Sequence, residues 1–172
     1  MSGHDDSAQY VTLGLDREVF AVPVGLVREI LDMRPPFRIP EAPPHLAGLI
    51  DVRGHAVPVI DLRLKLGLPA REAGADTRIL VLDVPVEGRV LSLGLIADRV
   101  FEVTGLDRHD VAPPPDIGTT WHSDYILGIG RRGDSFVVIF DLSHLLSSED
   151  TALLRMNSRR DAPILAPRAS GT

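Results

Sequence analysis

Apolar positions in this chain recur in short alternating runs, broken every few residues by glycine or proline. A period of two marks half-buried strands. Tyr10 to Leu15 and Val19 to Val24 read as two strands joined at Asp16-Arg17, with Phe20, Val22 and Val24 on one face. Pro23 lacks a donor and marks an edge or irregular point in the second of them. Leu26 to Leu31 fits a helical stripe through Val27, Ile30 and Leu31, or a strand with an irregular start; the strand is the favoured reading. A proline-rich connection, Pro35-Pro36 and Pro40 to Pro44, leads to strands at Ala47–Val52 and Ala56–Ile60 around a tight turn at Arg53-Gly54-His55. Asp61 suits the N-cap of a short helix, Leu62 to Leu66, with Gly67 at its end. After a loop at 69–76 come strands Thr77–Val84 and Arg89–Leu95, with Glu87-Gly88 at the turn, and then Ile96–Val103. A second proline run, Pro113-Pro114-Pro115, precedes another short helix at Ser143–Leu146 and a helical segment at Glu149–Met156.

The pattern is a duplication. Gly48 returns as Gly128, Ile60 as Phe140 and Asp61 as Asp141, a shift of 80. Phe20-Ala21-Val22 falls on Leu93-Gly94-Leu95, Val27 on Val100, Glu29 on Glu102 and Ile30 on Val103, a shift of 73. A seven-residue loop insertion separates the two shifts, and such insertions cost little. Two sets of short, Gly/Pro-punctuated strands without the regular helices of an alternating α/β protein predict an all-β chain of two closed barrels sharing an apolar layer. Closure removes free strand edges.

With 172 residues the chain suits one compact domain or two half-size units with a common core. Its 18 basic and 24 acidic residues give a net charge of −6, which argues against a nucleic-acid backbone as partner. Cysteine is absent, which excludes disulfides, thiolate metal sites and cysteine nucleophiles. The polar start, Met1-Ser2-Gly3-His4-Asp5-Asp6, has no signal-peptide core, and no apolar run approaches the roughly 20 residues of a membrane span. The expectation is a cytoplasmic protein.

No catalytic cluster accompanies this pattern. The six histidines show no metal-ligand pairing. His122-Ser123-Asp124 imitates a triad in letters only, since triads assemble in space. Asp61 and Asp141, placed alike before short helices, read as caps rather than as paired acids. Arg53 stands apart, at a turn beside Gly54. Its second-copy counterpart is Gly133, flanked by Arg132, so the repeat itself does not demand an arginine. It reads either as a surface ion pair or as a charged anchor beside an apolar groove, with Glu29 as its partner or neighbour. Val27 and Val100 line that groove or belong to the core.

Phe20-Ala21-Val22-Pro23-Val24, Val27-Arg28-Glu29-Ile30, Ile39-Pro40-Glu41-Ala42-Pro43, Gly48-Leu49-Ile50-Asp51-Val52-Arg53-Gly54, Val57-Pro58-Val59-Ile60-Asp61-Leu62-Arg63, Thr77-Arg78-Ile79-Leu80-Val81, Gly94-Leu95-Ile96-Ala97-Asp98-Arg99-Val100 and Tyr125-Ile126-Leu127-Gly128 occur in an order and spacing that resemble the CheW family, the chemotaxis coupling proteins. The resemblance implies two five-stranded SH3-like barrels joined around a shared hydrophobic core, with short helices. It places a domain of two intertwined barrels at 9–150, after a disordered leader at 1–8 and before a helix start and loose tail at 151–172. It implies an adaptor without catalysis or cofactor, held at receptor arrays through its partners. Those partners are the regulatory domain of the histidine kinase CheA, the cytoplasmic tip of methyl-accepting chemoreceptors and, in rings, other CheW-like domains. Arg53 matches the family's Arg-Gly position, linked to receptor and kinase coupling. Val27 and Glu29 match receptor-proximal positions, and Gly94 and Val100 carry over as groove neighbours. Asp51 departs from the family's usual asparagine, which puts partner identity in question. The rival adaptor reading is a scaffold of a non-flagellar chemosensory-like system controlling pili, biofilm or second messengers. An enzyme would need His122, Asp124 and a distant serine to converge.

Overall fold

A computed structural model describes residues 7–107, 111–113, 125–146 and 150. The chain runs β1 (Ser7–Leu15), β2 (Glu18–Pro23), a 3-10 turn (Val24–Leu26), β3 (Val27–Asp32), β4 (Leu46–Val52), β5 (His55–Asp61), α1 (Leu62–Lys65), β6 (Arg78–Val86), β7 (Arg89–Ala97), β8 (Arg99–Asp107), β9 (Ile126–Arg132), β10 (Ser135–Phe140) and α2 (Leu142–Leu145). The strand reading of the segment after Val24 holds, with the 3-10 turn as its irregular start. Residues 7 and 8, expected in a leader, belong to β1. The expected helix at 149–156, apart from Asp150, lies outside the described residues, as do the tail and His122-Ser123-Asp124.

The strands form two five-stranded sheets, ordered β8-β1-β2-β10-β9 and β3-β6-β7-β5-β4. All pairings are antiparallel except β2 with β10 and β5 with β7. The duplicated units exchange their first hairpins. β1 and β2 pack with the last three strands of the second unit, and β6 and β7 pack with β3, β4 and β5. The register reproduces the repeat: Ile139 lies opposite Ala21 as Val59 lies opposite Gly94. Leu13 pairs with Phe20 in one hairpin and Leu82 with Leu93 in the other, so the β6–β7 hairpin is longer by two residues in each arm. Pro23 ends β2 beyond the reach of the parallel ladder with β10, where its missing N–H costs nothing on that side.

The expected closed barrels are not formed. The first sheet is open and the second curls into a half-barrel. The terminal strands of each sheet share no ladder. Each gap is spanned by one isolated bridge, Phe37 to Leu49 in one sheet and Ala112 to Ile129 in the other. The physical reason is proline. Phe37 follows Pro35-Pro36 and Ala112 precedes Pro113, so neither segment has the run of donors a ladder needs. Phe37 and Leu49 exchange N–H···O bonds at 2.7 and 2.8 Å, and Ala112 and Ile129 do the same at 2.8 Å each way. These straps press onto glycine. A Cβ on Gly48, whose φ is +145°, would lie 2.2 Å from the Phe37 carbonyl oxygen, and one on Gly128 would lie 2.9 Å from that of Ala112.

Between the sheets sits one shared core. Leu13, Leu15, Phe20 and Val22 reach it from the first sheet, and Ile60, Leu80, Leu82, Leu93 and Leu95 from the second. Phe140 stacks on Phe20 with ring centroids 5.0 Å apart, and Leu62, Leu142 and Leu145 of the short helices cover the ends. Each sheet also holds its own core: Ile50, Val57, Val59, Ile79 and Val81 in one, Tyr10, Ala21, Leu106, Val137 and Ile139 in the other. Successive residues of β6 therefore point into different cores, which explains its uninterrupted apolar run.

Polar contacts tie the exchange points together. The Arg63 side chain, 8% exposed, donates from Nη1 to Asp16 in the β1–β2 turn at 2.7 Å and to Asp98 at the β7–β8 crossover at 2.9 Å. Its Nε donates to the Pro69 carbonyl at 2.8 Å. Asp61 caps α1 through the Arg63 and Leu64 N–H groups. Asp141 holds the same position before α2 but turns its carboxylate to the Ser143 hydroxyl and the His144 ring, both at 2.8 Å. Asp150, 4% exposed, meets His45 and Lys65 at 2.6 Å each and ties this position to the first unit.

Ile60→Asp places an unpaired charge in the shared core and is expected to cost about 3 kcal/mol or more; an unchanged melting temperature would show that this side chain is not in the core. Gly48→Ala is expected to cost more than about 2 kcal/mol, because a Cβ strikes strap backbone that cannot rotate away. Chemical denaturation checks both. The hydrogen bond from Arg63, against the opposing pull of desolvation and helped by the charges of Arg63, Arg71 and Arg99, holds Asp16 below the usual carboxylate range. Burial pushes Asp141 up, but the bonds from Ser143 and His144 outweigh it and leave its pKa lowered. A carboxyl with a lowered folded-state pKa contributes fully above its unfolded value, about 3.9, and that contribution is lost as pH falls through the folded value. Stability should therefore decline below about pH 4, with a shallower slope in Asp16→Asn, as read from denaturation midpoints against pH.

Candidate functional site

Arg53 occupies the two-residue loop between β4 and β5 with φ of +54°, followed by Gly54 at +87°. Both central residues are left-handed, the geometry that matches strand twist in tight hairpins. Its guanidinium reaches Glu29 on β3, with Nε 3.1 Å from Oε2 and Nη2 3.4 Å from Oε1. β3 and β4 are the two edges of the half-barrel, so this ion pair spans its open seam. The arginine side chain remains 78% exposed while the glutamate is 20% exposed. The hydrogen bond to Glu29 and its charge raise the Arg53 pKa further, so the group stays cationic.

The other sheet carries an equivalent clasp. Arg132 on β9 meets Glu102 on β8 at 3.2 Å, again across the two sheet edges. The loop arginine is not repeated, since Gly133 stands in its place, yet each seam has an Arg–Glu pair, displaced by one residue. The alignment of Glu29 with Glu102 was the signal for it. The two clasps differ in exposure. Arg132 is 34% exposed and Glu102 72%, and the Arg132 guanidinium lies 5.7 Å from the centre of the Phe101 ring.

Arg53 also lines a groove of about 440 Å³ with Arg28 and His55 at its rim and Ala56, Pro58 and Val90 along it. Arg28 is anchored on Asp83 at 2.6 Å and Ser92 at 3.0 Å. Val90 belongs to the extended part of the β6–β7 hairpin and is exposed. The repeat maps this groove onto a second one, of about 600 Å³, at the parallel pair β2 and β10. There the lining is mostly apolar, with Phe20, Leu66, Leu68, Tyr125, Phe136 and Val138, and its polar members are Arg17, Glu18, Asp134 and Ser135. Arg131 stands over the exposed Phe136 ring at 5.0 Å. One grooved plan thus carries two different chemistries.

Of the residues singled out from sequence, Arg53 and Glu29 come together. Val27 is half-buried at the start of β3, opposite Leu82, and packs against the shared core. Val100 sits opposite Leu13 near the start of β8 and also packs against that core. Gly94 is buried in β7; a Cβ there would lie 2.9 Å from the Ile79 methyl and 3.4 Å from that of Val59. Its smallness serves packing within the half-barrel. Asp51, the departure from asparagine, keeps its turn: Oδ1 accepts the Gly54 N–H at 2.9 Å. Arg28, His55 and Val90 escaped the sequence reading, because strand alternation gives the side a residue faces and not the strand beside it. Among the described residues no cluster of three or more acids or histidines could hold a metal, and no helix is long and apolar enough to cross a membrane.

The CheW-like domain family model matches residues 9–150. Similar curated relatives are the chemotaxis protein CheW of Treponema pallidum (strain Nichols), 29% identical over 87% of this chain and 88% of its own, and that of Klebsiella aerogenes, 29% identical over 90% of each. A similar solved structure is the scaffolding protein TtCheW from Thermoanaerobacter tengcongensis, with a TM-score of 0.75, 29% identity, and coverage of 87% of this chain and 94% of that one. With its duplicated sheets and seam clasps, and a family match spanning most of its length, the chain belongs to the CheW family of non-catalytic chemotaxis adaptors.

Proposed function

We propose that residues 9–150 act as one adaptor unit that joins the cytoplasmic tips of methyl-accepting chemoreceptors to the regulatory domain of CheA, with Arg53 as the charged anchor of one contact. The observation that carries this reading is the exposed guanidinium held by Glu29 beside a groove. A cation fixed at one end retains donors for a partner carboxylate, while apolar surface beside it supplies contact area. Val27 and Gly94 support the reading at one remove: they pack β3 and β7, which carry Glu29 and part of the groove wall, while Val100 packs β8 of the other sheet against the shared core. The second groove, richer in aromatic and aliphatic side chains than the basic first one, gives a partner of different chemistry its own place, and neighbouring CheW-like domains in a ring are among the candidates for it.

The shared core holds the two faces in fixed relation. A receptor transition alters kinase output through such a unit only when the contacts differ between the kinase-on and kinase-off states. The chain's part is to transmit geometry, and apolar packing on both faces of β6, through Leu80 and Leu82 on one and Ile79 and Val81 on the other, supports it.

Arg53→Glu reverses the anchor and sets two acids together with Glu29. In reconstituted receptor arrays kinase activation is expected to fall about tenfold, while the melting temperature stays near that of the parent, since solvent screens an exposed pair and leaves it little weight in stability. Normal activation by a chain of normal stability would remove Arg53 from the contact.

A further inference from the structure

We propose that Asp51 is a positioning residue for Arg53, its carboxylate holding the left-handed turn that presents the guanidinium to a docking partner. The proposal rests on Arg53 being a partner contact. Glycine accepts a left-handed backbone without strain; arginine does not, because its Cβ crowds the following carbonyl. Arg53 nevertheless has φ of +54°. Backbone strain that persists is over-determined by its surroundings. Here the surroundings are specific. Asp51 Oδ1 accepts the Gly54 N–H at 2.9 Å, tying the far side of the loop to the strand before it. The Asp51 carbonyl accepts from Arg34 Nη2 at 3.0 Å, which fixes the same residue to the strap.

The second unit shows what the strain achieves. Its β9–β10 loop puts glycine, Gly133 at φ +63°, where the first unit puts Arg53, and Asp134 is not left-handed. The clasp arginine there is a strand residue, Arg132. It reaches its glutamate equally well, at 3.2 Å against 3.1 Å, so closing the seam needs no arginine in the loop. What changes is exposure: 34% for the strand arginine and 78% for the loop arginine. Moving the cation into the left-handed position keeps the clasp and turns the guanidinium outward beside the groove. The bond from Asp51 makes that position tenable, and an amide at residue 51 supplies the same acceptor oxygen.

The test uses the full chain with Asp51→Ala, Asp51→Asn, Arg53→Ala and the Asp51→Ala/Arg53→Ala pair, titrated into receptor arrays with CheA and followed by kinase activation. Hydrogen exchange of the Gly54 amide and thermal melts accompany each variant. Arg53→Ala is expected to weaken the half-maximal concentration about tenfold and Asp51→Ala about fivefold, with the double variant no weaker than Arg53→Ala alone. Asp51→Asn should stay within about twofold of the parent, and the Gly54 amide should exchange quickly only where the acceptor at residue 51 is gone. Parental coupling by Asp51→Ala overturns the proposal. So does a further loss when Asp51→Ala is added to Arg53→Ala, a defect in Asp51→Asn equal to that of alanine, or an early melt of Asp51→Ala, which would assign Asp51 to the fold. If Arg53→Ala itself couples normally, the anchor reading fails first and this proposal falls with it.

Discussion

Everything in this structure depends on a single apolar layer shared by two sheets that have traded hairpins. Neither unit keeps its own β1–β2 type hairpin; each donates it to the other sheet. The leucines of β6 and β7 therefore meet those of β1 and β2 across one core, and separating the units would expose both. A half-size unit buries too little surface to stand alone. Exchange makes the two halves a single cooperative body, and Arg63 ties its exchange points by bonding Asp16 and Asp98 together.

Exchange also leaves seams. The hairpin lost from each unit is replaced by that of the other, yet the proline-bearing segments that pass the last edge contribute one bridge each. An open sheet edge is a liability in a soluble protein. Both seams are managed alike, with a strap pressed onto a glycine and an Arg–Glu pair across the gap. The pairs then diverge. Glu29 is the covered member in one and Arg132 in the other, so the first seam shows positive charge to solvent and the second negative.

That divergence suits a coupling protein. Duplication supplies two similar grooves in a fixed relation, and substitution makes one basic and the other rich in aromatic and aliphatic side chains. Two unlike surfaces on one rigid body can hold two unlike proteins in a set geometry. No group on either surface has to react for this to work; the useful property is that one shared core joins the two surfaces.

Local order in the chain was enough to place nearly every described strand, both short helices and the turns at Asp16, Arg53 and Glu87, because alternation, caps and turn residues act over a few positions. The repeat, read as shifts of 73 and 80, carries one parallel pairing of the structure onto the other, Ala21 with Ile139 onto Gly94 with Val59. Resemblance carried the family, and with it Arg53 and Glu29, which the fold joins. What the residues by themselves could not decide was partnership. A period of two says that one face of a strand is buried but not which strand lies beside it, so closed barrels were expected where the sheets stay open, and the Arg132–Glu102 clasp went unseen. Only the tertiary structure settled whether the edges meet, since that depends on how much donor-bearing backbone reaches the gap, and proline had already limited it to one bridge on each side.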